Sequence, residues 1–139
     1  MWFPLLLILA FVGGAVVLGL PSSQVVFFVL INTLIVGFEE ELMFRGILFQ
    51  GLLSCFNIWP AIVLTSLLFG AVHATNGFIT GDFAKAMAQV VQATMSGFWF
   101  IAIRLRTRSI YPAMIMHGLW DFAVFILSQA VHGGGRGSR

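Results

Sequence analysis

No charged residue occurs before Glu39. The later charges are confined as well: four in Glu39–Arg45, three in Arg104–Arg108, two at Arg136 and Arg139, with only Asp82, Lys85 and Asp121 elsewhere. The uncharged intervals between them reach the ~20 mainly apolar residues that a helix needs to cross a bilayer. Composition points the same way, with 60% hydrophobic residues, 9% charged and a mean hydropathy of +1.02. Soluble chains carry about 25% charged residues, and a chain of 139 residues has too much surface for its volume to hide this much apolar side chain from water. A water-soluble globule, a disordered segment and a nucleic-acid module are therefore excluded. The net charge of +2 is too small to argue for a polyanionic partner. Cys55 is the single cysteine, so there is neither an internal disulfide framework nor a zinc–thiolate cluster.

Five apolar segments follow from these intervals. Met1–Leu20 is uncharged and stops at Pro21. No basic residue precedes it, so it is expected to be a membrane helix and not a cleaved leader. Ser22–Phe56 would form a helix about 52 Å long, so it must tilt, break near Gly46 or Gly51, or continue along the interface. Pro60–Thr75, Phe83–Ile103 and Ile110–Val131 complete the set, with Pro60 in a first helical turn. The expected fold is all-α: an integral membrane bundle of about five transmembrane helices, one domain over residues 1–132, then a flexible glycine-rich tail over 133–139. The basic run Arg104–Arg108 marks a cytoplasmic loop. If the four preceding segments all cross, the N-terminus is cytoplasmic too, in what is expected to be a prokaryotic cell membrane with lipids as constant partners.

Ionisable side chains at bilayer depth cost at least a few kcal/mol, and each raises a functional question. Three groups stand out. In Glu39–Arg45, Glu41 and Arg45 are four residues apart and can pair on one helix face. Glu40 lies ~100° round the helix from that pair, and a carboxylate so placed is a candidate general base. The plainer reading makes Glu39–Glu41 a solvated turn where the helix breaks. The second group is Phe69-Gly70-Ala71-Val72-His73, where Phe69 and His73 share a face; alone, His73 would read as an inert helix-terminal histidine. In the third, His117 and Asp121 are again four apart, inside a spanning segment. A mutual hydrogen bond would explain their pairing, but not why the helix carries either. Small residues beside the three groups (Gly37, Gly46, Gly70, Ala71, Gly118) allow close helix approach, so Glu40, His73, His117 and Asp121 could share one cavity.

Glu40-Glu41-x-x-x-Arg45, then Phe69-x-x-x-His73, then His117-x-x-x-Asp121 resembles the three ordered motifs of the CAAX protease and bacteriocin-processing (CPBP, or Abi) intramembrane proteases. The type II CAAX prenyl endopeptidases are its best-known members. The run Arg106–Ala113 is similar to that family's lead-in to the last motif, and the resemblance covers residues 34–126. It implies that Glu40 activates water, that His73 positions it, that Glu41 and Arg45 hold the glutamate helix in place, and that His117 and residue 121 stabilise the oxyanion. The family more often has Asn where this chain has Asp121. An ionised aspartate would repel an oxyanion, so Asp121 is either protonated or orients His117.

The resemblance favours a glutamate-dependent mechanism with no required metal. Zinc is the alternative, with Glu40, His73 and His117 as its ligands, although no His-Glu-x-x-His motif is present. The leading reading is thus an intramembrane endopeptidase acting on a membrane-associated or lipid-modified peptide, prenylated or not. A non-catalytic protein of the same fold, acting in bacteriocin immunity or as a scaffold, is the alternative. A proton-relaying transporter ranks third, because no string of polar residues runs from the three groups toward either surface.

Overall fold

The computed structural model describes residues 2–134, and side chains over 4–132. Helices dominate, and there is no strand among the described residues. Helix α1 spans Trp2–Leu18. Helix α2, Ser23–Glu41, runs without a break into a π-helical stretch, Leu42–Leu48, and then α3, Phe49–Cys55. Helix α4, Ile58–Val72, tightens into a 3-10 turn at His73–Thr75 and continues as α5, Asn76–Thr80. Helices α6, Phe83–Thr107, and α7, Tyr111–Gly134, complete five helical rods. Ile58–Thr80, Phe83–Thr107 and Tyr111–His132 are long and apolar enough to cross a membrane.

Of the three courses expected for the second rod, the break at Gly46 or Gly51 does not occur: a π coil continues the helix there, and the Glu39–Glu41 turn is not formed. Helix α7 runs to Gly134, into the expected tail, while residues 135–139 lie outside the described residues. The outward faces are apolar. Val17, Ile79 and Phe78 are 86%, 80% and 79% exposed, which fits lipid as the solvent and leaves the polar groups to the interior.

The rods fall into two compact units. The first comprises the chain up to Glu39 and from Met114 onward. Its core is Ala15, Ile126 and Ala130, with Val26, Val29, Phe122 and Leu127 packed against them. Here α2 and α7 meet backbone to backbone. A Cβ on Gly37 would stand 2.6 Å from the Gly118 nitrogen, and one on Gly118 would stand 2.9 Å from Leu34 Cα. No larger residue fits at either place without moving a helix.

The second unit runs from Glu40 to Ala113. Phe49, Ala61, Ile62 and Ile101 form one apolar cluster, and Phe44, Phe69 and Ala93 another. Glycines again set the helix spacing: a Cβ on Gly70 of α4 would strike the Thr94 side chain of α6 and come within 2.7 Å of Val90 O. Between α5 and α6 the chain turns through Gly81, which takes the left-handed φ of 76°. Asp82 then caps α6 by accepting from the Lys85 backbone N–H at 2.9 Å.

Candidate active site

The second unit holds a buried polar centre around Arg45. The π-helical stretch, in which the Phe49 N–H reaches back to Phe44 O, surrounds this residue. Such widened turns are rare and often occur at functional sites. Arg45 Nη1 donates to Glu41 Oε1 at 2.9 Å, and both side chains are fully buried. Arg45 Nη2 donates to Gly97 O on α6 at 3.1 Å. The guanidinium carbon lies 4.2 Å from the centroid of the Phe69 ring and 5.5 Å from that of Phe100, where the negative faces of the rings attract the cation. A charge that would be costly alone in hydrocarbon is thereby held by a carboxylate, a carbonyl and two aromatic faces.

Phe69 passes this order on to His73. Its ring packs edge-on against Phe44, centroids 5.0 Å apart, and against the His73 imidazole at 5.3 Å. At the 3-10 turn the His73 backbone N–H points to Gly70 O and Ala71 O, and His73 Nδ1 is 2.9 Å from Phe69 O. A carbonyl oxygen can only accept, so Nδ1 carries the proton and donates. In the neutral ring this leaves the lone pair on Nε2. The local helix geometry therefore selects the tautomer and presents an acceptor nitrogen.

Glu40 lies in the same unit, one residue before Glu41, and is half-buried, whereas Glu39 is exposed. His117 and Asp121 belong to the first unit. His117 is almost fully buried, and its Nε2 is 3.6 Å from Asp121 Oδ2, an ion-pair separation longer than a hydrogen bond. Their helix is seated by the glycine contact already described, since Gly118 directly follows His117. Glu41, Arg45, Phe69 and His73 are thus joined in one run of contacts, and His117 and Asp121 in another. Of the small residues singled out in the sequence, Gly37, Gly70 and Gly118 sit at close helix contacts, while Ala71 is exposed.

Sequence reasoning missed Gly97, Phe100 and Phe44. Gly97 offers its carbonyl to Arg45 from 52 residues away, and no local pattern announces such a partner. Its only trace is the one glycine inside a 25-residue helix. Neither unit gathers three His, Cys, Asp or Glu side chains that could hold a metal ion among the described residues.

Beside this centre runs an apolar groove of about 530 Å³, lined by Met43, Phe44, Ile47, Leu48, Leu68, Ala71 and Val72. It follows the π-helical stretch and ends at the residue before His73.

An all-α protein with three helices long and apolar enough to cross a membrane, a buried Glu–Arg pair and an oriented histidine belongs to the class of integral membrane helical proteins. The particular family is shown by comparison. Residues 22–123 match the family described as type II CAAX prenyl endopeptidase Rce1-like, and the chain belongs to it. The general function is therefore that of the CAAX proteases. No curated protein and no solved structure matches the chain.

Proposed function

We propose that the chain is an intramembrane endopeptidase that hydrolyses a peptide bond of a lipid-modified, membrane-associated peptide, with water activated by Glu40. The observation that carries this reading is the His73 imidazole, fixed through Nδ1 so that Nε2 accepts. Water bonded to Nε2 through one proton can give the other to Glu40, while its oxygen attacks the scissile carbonyl carbon. The carbonyl electron pair moves onto oxygen, and the family resemblance alone assigns the stabilisation of that oxyanion to His117 with Asp121. Collapse of the intermediate breaks the C–N bond, and the proton held by Glu40 passes to the leaving amine. Glu41 and Arg45 act as structural support, holding the Glu40 segment against α6 through Gly97.

The apolar groove supports a lipid-modified substrate, because a chain lying along Met43, Ile47 and Val72 would bring its attached peptide toward His73. Family membership favours the peptidase over an immunity or scaffold role. Every step uses the chain's own residues, so the reaction as proposed requires no metal. We place the Arg104–Arg108 end of α6 on the cytoplasmic side.

The test is cleavage of a lipid-modified peptide by the purified protein in detergent or vesicles, with and without chelator. Glu40→Gln keeps the shape and removes the base, so turnover should fall by ~10²–10⁴-fold with substrate binding retained. Undiminished turnover in Glu40→Gln refutes the mechanism. Loss of wild-type turnover with chelator, restored by zinc, refutes its metal-free form.

A further inference from the structure

The end of the second unit where α6 finishes carries the cations Arg104, Arg106 and Arg108. Its place in the fold follows from helix register. A Cβ on Gly77 would meet Ala86 and one on Gly70 would meet Val90 O, while Ile62 clusters with Ile101. The Ile58–Thr80 rod and α6 are therefore antiparallel, and the same register sets Trp59 level with Arg104. Trp59 and Tyr111 are both exposed at this end, and indole and phenol rings favour the headgroup level of a bilayer. The acids of the unit lie elsewhere. Glu41, and with it Glu40, is tied through Arg45 to Gly97, about 10 Å along α6 from Arg104, and Asp82 is about 33 Å away.

Arg104 is not an ordinary surface arginine. It is half-buried, its guanidinium carbon is 5.4 Å from the Phe49 ring centroid, and its Nε is sealed from solvent, whereas its two terminal nitrogens are not. No carboxylate among the described residues pairs with it. Interfacial water can meet those donors, but a cation held against an aromatic ring at the hydrocarbon edge still lacks a counter-ion. Arg108 is exposed and ends α6 four residues on, at φ 56°. Arg106 lies about 200° round the helix from Arg104.

We propose that Arg104 and Arg108 bind the phosphate of an anionic phospholipid, with Trp59 and Tyr111 flanking the headgroup. The planar guanidinium fork meets two phosphate oxygens at once and supplies the matching charge. A lipid fits better than a free anion, because Ile58 and Leu105 leave exposed apolar surface at the same level for an acyl chain. The bound headgroup steadies the end of α6, the helix whose Gly97 carbonyl holds Arg45. The site is independent of the peptidase reading and would exist equally in a catalytically silent protein.

The experiment is native mass spectrometry of the full chain in detergent micelles, titrated with phosphatidylglycerol or with phosphatidylcholine of the same acyl chains. The wild type should bind phosphatidylglycerol more tightly. Arg104→Gln and Arg108→Gln should each weaken that binding about fivefold, the effect of one basic residue at an anionic surface. Arg106→Gln, on the opposite face, should change it less than twofold. Far-UV circular dichroism checks that each variant is folded, and Arg108→Gln, at an exposed turn, keeps the test decisive if Arg104→Gln is not. Equal binding of the two lipids overturns the proposal. So does an Arg106→Gln loss as large as the other two, which would mean diffuse charge attraction, or displacement of phosphatidylglycerol by inorganic phosphate, which would mean a site for the free anion.

Discussion

Removing the Arg45 side chain should do more damage to the fold than removing any catalytic group. Arg45→Ala deletes a 2.9 Å bond to the fully buried Glu41, a 3.1 Å bond to Gly97 O and a cation held over the Phe69 face. Breaking a buried ion pair from one side costs about 3–5 kcal/mol, chiefly because the remaining charge has lost its counter-ion. A charge-assisted hydrogen bond adds about 1.5–3 kcal/mol, but the two terms share one guanidinium and do not sum in full. An overall loss of about 4–5 kcal/mol is expected, roughly three orders of magnitude in the folding equilibrium. The cause can be isolated with a second substitution. Most of the cost is stranded charge, so Glu41→Gln on top of Arg45→Ala should return part of the stability, about 1–3 kcal/mol. The assay is reversible unfolding in mixed micelles for the wild type, both single variants and the double variant, read by far-UV circular dichroism. A double variant no more stable than Arg45→Ala would show that charge is not the source of the loss. An Arg45→Ala protein with wild-type stability would refute the structural role altogether.

Three further outcomes are expected. His73→Ala should lower turnover by ~10²–10⁴-fold while costing only about 1 kcal/mol of stability, because its Nδ1 bond is local and the side chain is half-buried; equal losses of stability and activity would count against it. Gly70→Ala should destabilise by about 1–3 kcal/mol, since the new methyl meets Thr94 and stands 2.7 Å from Val90 O, whereas Gly13→Ala, with nothing within 4 Å, should be neutral or stabilising; thermal unfolding of the two variants decides it. Asp121→Asn should impair turnover if a carboxylate must orient His117 across their 3.6 Å separation, and should be tolerated if residue 121 only donates a hydrogen bond; the proposal made here expects impairment.

How far the fold could be read from the chain depended on whether the cause was local. Membrane helices are set by uncharged intervals, so all five rods were legible within a few residues. Their ends were less so. The third segment was expected to stop at Thr75. The structure carries it to Thr80. Asn76 Nδ2 donates to Gln89 Oε1 at 2.8 Å, and Gly77 lets Phe83 approach to a distance that any Cβ would forbid. Both supports come from α6, beyond the reach of local pattern. Helix α6 likewise continues past Ile103 to Thr107, with the Arg104 guanidinium carbon 5.4 Å from the Phe49 ring centroid, so a charged residue need not end the buried part of a helix.

The same division runs through the candidate site. The Glu41–Arg45 contact was legible because an i, i+4 spacing places both groups on one face whatever surrounds them. The π-helical stretch was not, since α and π coils draw on the same residues and differ only in which carbonyl each N–H reaches. Yet that stretch is what places Arg45 between Gly97 and the aromatic rings, and what lines the groove with Met43 and Ile47. On the proposed reading the three motifs supply the reactive groups, whereas the features that would orient them (the π turn, the Gly97 carbonyl, the packing of Phe44 on Phe69) come from tertiary contacts. Two proteins sharing all three motifs could thus differ in rate or substrate if one replaced Gly97 with a larger residue. In this chain that substitution would put a Cβ 3.2 Å from Ser66 and 3.3 Å from the guanidinium, disturbing the Arg45 anchor without touching a single motif position.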